Sequence, residues 1–207
     1  MRQKTYLICL LIFTSAAAQA EDTLQAVLNR MKADNATSLA YTEKRTLKML
    51  TSEWQGSGFL YAAPPHTLLK EQRRPELEIM ASAGKQAFYF HPNNNQRYQA
   101  DLDETQPQVV VFNELLHGNL AALEKLYQVD FKQNPKNWRI TLVAKNTAAD
   151  SKAAKILVQG LPEQPADLIT VIQADGDRSE FSLTPVAKGE GVQKNINKLL
   201  KQIQGQP

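Results

Sequence analysis

The chain has 207 residues, of which 43% are apolar and 22% are charged, and its formal net charge is +3. This composition is typical of a globular protein with room for one substantial hydrophobic core. The weak net charge gives no reason to expect binding to nucleic acid or strong attraction to an anionic membrane surface.

The first twenty residues have the pattern of a secretory signal peptide. Two basic residues precede a short apolar run over residues 6–13, and a small-x-small cleavage site ends at Ala20. The run is shorter than the roughly 20 residues of a membrane span, and an N-terminal anchor helix is the alternative interpretation. We expect export and a single mature domain over residues 21–207. That domain would contain no disulfide, because the only cysteine, Cys9, lies in the leader.

After the leader, apolar residues at helical spacing predict a first helix that ends near Ala33. Asp22-Thr23 can cap its amino end. The face that it would bury is formed by residues at positions i, i+3, i+4 and i+7: Leu24, Val27, Leu28 and Met31.

Eleven short segments with β-type composition follow, separated by turns rich in Pro, Gly and Asn. Strands at such regular spacing indicate an antiparallel meander, and therefore a sandwich or a barrel. The predicted strands cover residues 39–50, 54–62, 67–73, 77–81, 86–91, 98–102, 127–132, 138–145, 155–159, 168–174 and 178–184.

Two further stretches have helical periodicity. Residues 111–127 place five leucines along one side, with Gly118 in the middle, and interrupt the meander. Residues 191–204 place apolar side chains opposite three lysines, which predicts a C-terminal helix packed on the sheet. Contact of this basic helix with a membrane surface is the alternative.

No recognisable catalytic or metal-binding motif is present in the sequence. The histidines at 66, 91 and 117 have no partners at metal-ligand spacing. Glu76 and Glu78 would share one face of a strand, where a pair of carboxylates could act in acid–base catalysis. The same spacing is typical of a solvated face. We therefore expect no enzyme activity, no metal and no cofactor. The remaining signal is a surplus of aromatic side chains on the predicted strands, which indicates either an ordinary core or an apolar ligand cavity.

Three motifs, taken in order, resemble the periplasmic outer-membrane lipoprotein carrier (LolA-type) family. Gly58-x-Leu60 followed by Pro65 is similar to a G-x-L…P strand pair of that family. Residues 84–92, GKQAFYFHP, resemble its aromatic strand and turn, and residues 175–181 resemble its penultimate hairpin. The resemblance extends over nearly the whole mature chain.

The resemblance implies a mainly β fold with helices (α+β): one strongly curled antiparallel half-barrel with a helical lid over an apolar cavity. It also implies a monomeric carrier that receives acylated lipoproteins, or other lipid-like cargo, from an inner-membrane donor complex and delivers them to an outer-membrane acceptor. A sensor or interaction module on the same fold, acting in envelope stress through a protein partner, is the alternative. Gly56 and Gly58 would then lie where the sheet curls most and a helix approaches it closely.

The same resemblance predicts the residues of the site. Leu115, Leu116 and Leu120 are expected to form the lid. Lys70 stands where the family has an aromatic residue, and Ala63-Pro64 stand where it has a lid-binding arginine. These departures favour a divergent member, with Lys70 at the cavity mouth. The residues predicted to line the cavity are Leu47, Met49, Leu60, Leu68, Phe88, Phe90, Ile140 and Leu142.

Overall fold

The computed structural model describes residues 23–48, 52–102, 107–145 and 154–206. The predicted leader and Met49 lie outside these residues. Within them the fold is mostly β, with one eleven-stranded antiparallel sheet and four α-helices. The strands are β1 Thr37–Thr46, β2 Trp54–Ala63, β3 Thr67–Arg74, β4 Glu78–Ala83, β5 Gln86–His91, β6 Gln96–Asp101, β7 Tyr127–Asn134, β8 Asn137–Ala144, β9 Lys155–Gly160, β10 Ala166–Ile172 and β11 Arg178–Lys188. The helices are α1 Leu24–Met31, α2 Pro107–Leu116, α3 Leu120–Leu126 and α4 Glu190–Gln204.

The sheet has the strand order β6-β5-β4-β3-β2-β1-β11-β10-β9-β8-β7. Two meanders, β1–β6 and β7–β11, are joined where the first strand pairs with the last, for example at Tyr41 opposite Leu183. The sheet is not closed into a barrel, because β6 and β7 lie at its two edges. This confirms the fold class that the resemblance implied, a mainly β fold built on one unclosed antiparallel sheet. The sandwich or closed barrel that the strand spacing indicated is not formed by the described strands.

Helices cover both faces of the sheet. Helices α1, α2 and α3 pack on what we call the inner face, where Leu28, Leu115 and Leu123 join one hydrophobic cluster with side chains from β1, β2 and β7–β11. Helix α4 packs on the opposite, outer face of β1–β5 and β11. Its buried side chains lie among Tyr61, Leu69, Ile79 and Phe90: they are Val192, Ile196, Leu199 and Ile203. The predicted packing of the C-terminal helix on the sheet is therefore found.

The predicted single helix over residues 111–127 is two helices. The backbone of Gly118 has φ +66°, which the right-handed helix does not permit. Asn119 then caps α3, its side chain accepting a hydrogen bond from the Ala122 amide at 3.2 Å. The helix is divided at this pair of residues, because a glycine that ends one helix is followed by an asparagine that begins the next.

Gly58 is enclosed by a neighbouring strand rather than by a helix. A Cβ atom at this position would lie 1.9 Å from the Glu71 carbonyl oxygen and 2.9 Å from the Gln72 Cα. The β2–β3 register shifts between Ser57 and Gly58, so the backbone of β3 comes unusually close. At Gly56 a Cβ would instead meet the Trp54 ring at 2.3 Å. The expected close approach exists, but β3 and Trp54 make it.

Candidate functional site

Two cavities lie on the inner face of the sheet. The larger, about 500 Å³, lies between α2 and the strands of the first meander, with residues of β11 along one side. The smaller, about 240 Å³, lies beside the end of α1 and the end of α2. The large cavity falls within the size range of small-molecule sites.

The walls of the large cavity are mainly apolar or aromatic, with three charged side chains among them. The apolar and aromatic lining residues are Leu47, Leu60, Leu68, Met80, Ala81, Ala87, Phe88, Tyr89, Tyr98, Ala100, Val109, Phe112 and Phe181, and the charged ones are Glu43, Arg45 and Lys70.

Leu60 and Phe112 line both cavities. Leu60 belongs to β2 and is 6% exposed, so the sheet holds it in place. Phe112 belongs to α2, is half-buried, and packs edge-on against Phe181 with ring centroids 5.6 Å apart. One sheet residue and one helix residue thus form the wall between the two cavities.

The charged side chains of the large cavity form an ion-paired cluster. Glu43 is 1% exposed, and its two carboxylate oxygens accept hydrogen bonds from Lys70 Nζ at 2.6 Å and Arg45 Nε at 2.5 Å. The Lys70 ammonium also lies 5.1 Å from the centroid of the Tyr41 ring and 5.4 Å from that of Phe181. Lys70 therefore pairs with an anionic group, which is what a charge facing an apolar cavity requires.

Burial affects the protonation of this cluster. It lowers the pKa of the Lys70 ammonium, and the nearby Glu43 carboxylate opposes part of that shift. Burial also raises the pKa of the Tyr41 hydroxyl well above its ordinary value, and Glu43 adds to the rise. A tyrosine with a raised pKa is neutral at physiological pH.

Helix α2 is attached to the sheet by a buried polar contact. The Asn113 side-chain amide donates a hydrogen bond to the Ser82 hydroxyl at 2.8 Å. Both residues are buried, and Ser82 also lines the large cavity. A hydrogen bond between buried neutral groups contributes about 1 kcal/mol, so this contact holds the helix weakly.

The structure brings most of the predicted cavity residues to one place. Leu47, Leu60, Leu68 and Lys70 line the large cavity, and Phe88 lines it while also packing against the outer-face cluster.

Three predicted residues lie elsewhere. Phe90 lies on the outer face under α4, where Arg97 stacks over its ring at 4.0 Å. Ile140 and Leu142 face inward, but they are fully buried in the hydrophobic cluster and line neither cavity. The strand assignment alone did not separate the two faces of β5, nor the filled part of the inner face from the hollow part.

The residues predicted as a lid are divided between two helices. Leu115 and Leu116 lie on α2 and line the small cavity. Leu120 begins α3 and packs against the inner-face cluster without lining either cavity. Phe112, one turn earlier on α2, was not predicted, although its position four residues before Leu116 places it on the same side of the helix.

Sequence reasoning also missed Glu43 and Arg45. Their signal was the alternation in β1, where Leu39, Tyr41, Glu43 and Arg45 occupy one face. Among the described residues, no group of three or more His, Cys, Asp or Glu side chains is placed to hold a metal ion. None of the described helices has the length and apolar character needed to cross a membrane.

A family model described as "Outer membrane lipoprotein carrier protein LolA-like" matches residues 15–189. The chain belongs to this family. This match confirms the resemblance stated from the sequence. No curated protein matches the chain significantly.

Solved structures with a similar fold are distant in sequence. A LolA superfamily protein from Nitrosomonas europaea is 10% identical with a TM-score of 0.43, over 79% of this chain and 92% of that one. A putative outer membrane lipoprotein-sorting protein domain from Vibrio parahaemolyticus is 9% identical with a TM-score of 0.48, over 86% and 96%. The Pseudomonas aeruginosa MucA/MucB complex contains a chain that is 11% identical with a TM-score of 0.46, over 82% and 59%.

Proposed function

We propose that this LolA-like protein is a non-enzymatic periplasmic carrier that binds acyl chains, of lipoproteins or of another lipid-like molecule, in the large cavity and moves them from the inner to the outer membrane. The observation that supports the proposal is the large cavity itself: about 500 Å³ of space walled mainly by apolar and aromatic side chains on a folded sheet. A well-packed core leaves few voids larger than a water molecule, so a space of this size favours a ligand.

Binding of this kind requires no covalent step. Burial of an acyl chain contributes about 0.8 kcal/mol per methylene, and release requires only that the next site bind the chain more tightly. Helix α2 is the lid in this proposal, because Val109 and Phe112 line the large cavity and its attachment to β4 includes the Asn113–Ser82 hydrogen bond.

The test is titration of the purified mature protein with a fluorescent palmitoyl probe, using two variants as a matched pair. Met80 lines the large cavity and is 37% exposed, whereas Val143 is 39% exposed and lines neither cavity. Met80→Glu places a charge against the bound chain and should reduce affinity at least tenfold, while Val143→Glu should bind as the wild type does. Equal affinity in the two folded variants would contradict binding in the large cavity.

A second candidate, an interaction module acting through a protein partner, is favoured by the free edge of the sheet. All six residues of β6 are exposed, and Tyr98 is 60% exposed. An open edge strand can accept an added strand from another chain. A photo-crosslinker at Gln99, an exposed β6 residue that lines neither cavity, should then capture one defined protein partner in cells, with position 143 as the control. The wild-type protein should bind no palmitoyl probe.

A further inference from the structure

The small cavity extends the space available to a ligand. It adds about 240 Å³ to the 500 Å³ of the large cavity, and much of its wall is also apolar. Among the described residues, Leu60 and Phe112 alone line both cavities. The apolar side chains that line only the small cavity include Met31, Leu39, Leu115, Leu116, Ile169 and Leu183.

We propose that a single long hydrophobic chain occupies the two cavities end to end, and that Phe112 determines whether the chain passes from the large cavity into the small one. The inference rests on the proposed function, since it concerns the same ligand. It names the class of cargo: an amphiphile whose chain is too long for the large cavity alone.

Phe112 rather than Leu60 is the part of the wall that moves. Leu60 lies in the interior of β2 between β1 and β3, with both neighbours hydrogen-bonded to its strand. Phe112 is half-buried on α2, and its edge-on contact with Phe181 is one that a change of side-chain rotamer removes. Rotation of this one ring joins the two spaces without breaking the sheet.

The dependence of affinity on chain length differs between a chain that stays in the large cavity and a chain that crosses into the small one. Each added methylene increases affinity about fourfold as long as it enters apolar space, and the increase stops when that space is full. The small cavity should therefore extend the increase to longer chains and leave the affinity for short chains unchanged.

The experiment measures the affinities of octanoate, dodecanoate, hexadecanoate and octadecanoate for the full mature protein by competition with the fluorescent probe. Leu116→Trp places a larger side chain in the small cavity from α2, where Leu116 is half-buried and lines only that cavity. Leu126→Trp is the matched control, because Leu126 is a half-buried leucine on α3 that packs against the inner-face cluster and lines neither cavity.

We expect Leu116→Trp to bind octanoate as the wild type does and to lose at least tenfold in affinity for octadecanoate, while Leu126→Trp keeps the wild-type profile. Phe112→Ala removes the helix side of the wall between the two cavities. In this variant the affinity should continue to increase up to longer chains than in the wild type. If both Leu116→Trp and Phe112→Ala fold, as judged by circular dichroism, and keep the wild-type profile, the two-cavity inference is wrong and the carrier proposal stands. If the wild type binds none of the four acids, the carrier proposal itself fails.

Discussion

Gly58→Ala should be among the most destabilising small substitutions in the sheet. The added Cβ would lie 1.9 Å from the Glu71 carbonyl oxygen, 2.9 Å from the Gln72 Cα and 3.0 Å from the Arg73 amide nitrogen. All three atoms belong to the backbone of β3, so no side chain can rotate to relieve the contact. Relief requires β3 to move away from β2 at the register shift.

The expected cost follows from that displacement. Overpacking a well-packed site costs about 1–3 kcal/mol, and each backbone hydrogen bond lost between β2 and β3 adds about 1 kcal/mol. We therefore expect Gly58→Ala to lower the free energy of unfolding by about 3 kcal/mol or more. Gly56→Ala should cost less, because its Cβ meets the Trp54 side chain at 2.3 Å, and that ring lies on a half-exposed residue that can shift.

The assay is urea unfolding followed by circular dichroism, with Gly191→Ala as the control. Gly191 lies in the first turn of α4, and a Cβ there meets nothing within 4 Å. Alanine should leave stability unchanged or raise it by up to about 1 kcal/mol, because glycine is the poorer helix former. If Gly58→Ala unfolded at the same urea concentration as Gly191→Ala, the close approach of β3 would not exist.

Three further predictions concern the two faces of the sheet. Burial and a hydrogen bond to Glu71 raise the pKa of Tyr61 from 10.0 to about 12, so the folded state holds this proton more tightly than the unfolded state does. The stability that this difference contributes is complete below pH 10 and is lost as the pH rises towards 12. Tyr61→Phe should therefore reduce the fall in the urea midpoint between pH 10 and pH 12. Lys70→Met should destabilise the fold by about 3 kcal/mol, because Glu43 is left buried with Arg45 alone. The Lys70→Met/Glu43→Met double variant should lose less stability than the sum of the two single variants. Additive losses of stability in thermal unfolding would contradict the coupling of the two side chains. Ser82→Ala should cost about 1 kcal/mol and increase amide hydrogen exchange in α2 more than in α4; equal exchange in the two helices would contradict the role assigned to the Asn113–Ser82 contact.

The strands could be predicted because each is short and ends at a residue that stops it. Residues 86–91 were predicted with the bounds of β5, since Gly84 precedes the strand and Pro92 follows it. The predicted β1 extended beyond Thr46 because its apolar composition continues to Leu50, whereas the described strand ends at Thr46. Local composition thus predicts the existence of a strand more accurately than it predicts the residue at which the strand ends.

The faces and the pairing depend on contacts distant in the sequence. Phe88 and Phe90 have the same parity in β5, yet only Phe88 also reaches the large cavity, while Phe90 is buried in the outer-face cluster. The pairing of β1 with β11 joins residues about 140 positions apart, and no local pattern encodes it. The Lys70–Glu43 ion pair likewise depends on two strands separated by β2 in the sheet.

The proposed carrier function requires the large cavity to hold a hydrophobic chain. Native mass spectrometry of the protein, purified without detergent, together with lipid extraction of the same sample, shows directly whether such a chain is bound. We expect a stoichiometric hydrophobic adduct that is present in the Val143→Glu variant and lost in the folded Met80→Glu variant. An adduct-free mass in the wild type, with no uptake of added palmitoyl probe, would contradict the proposed carrier function.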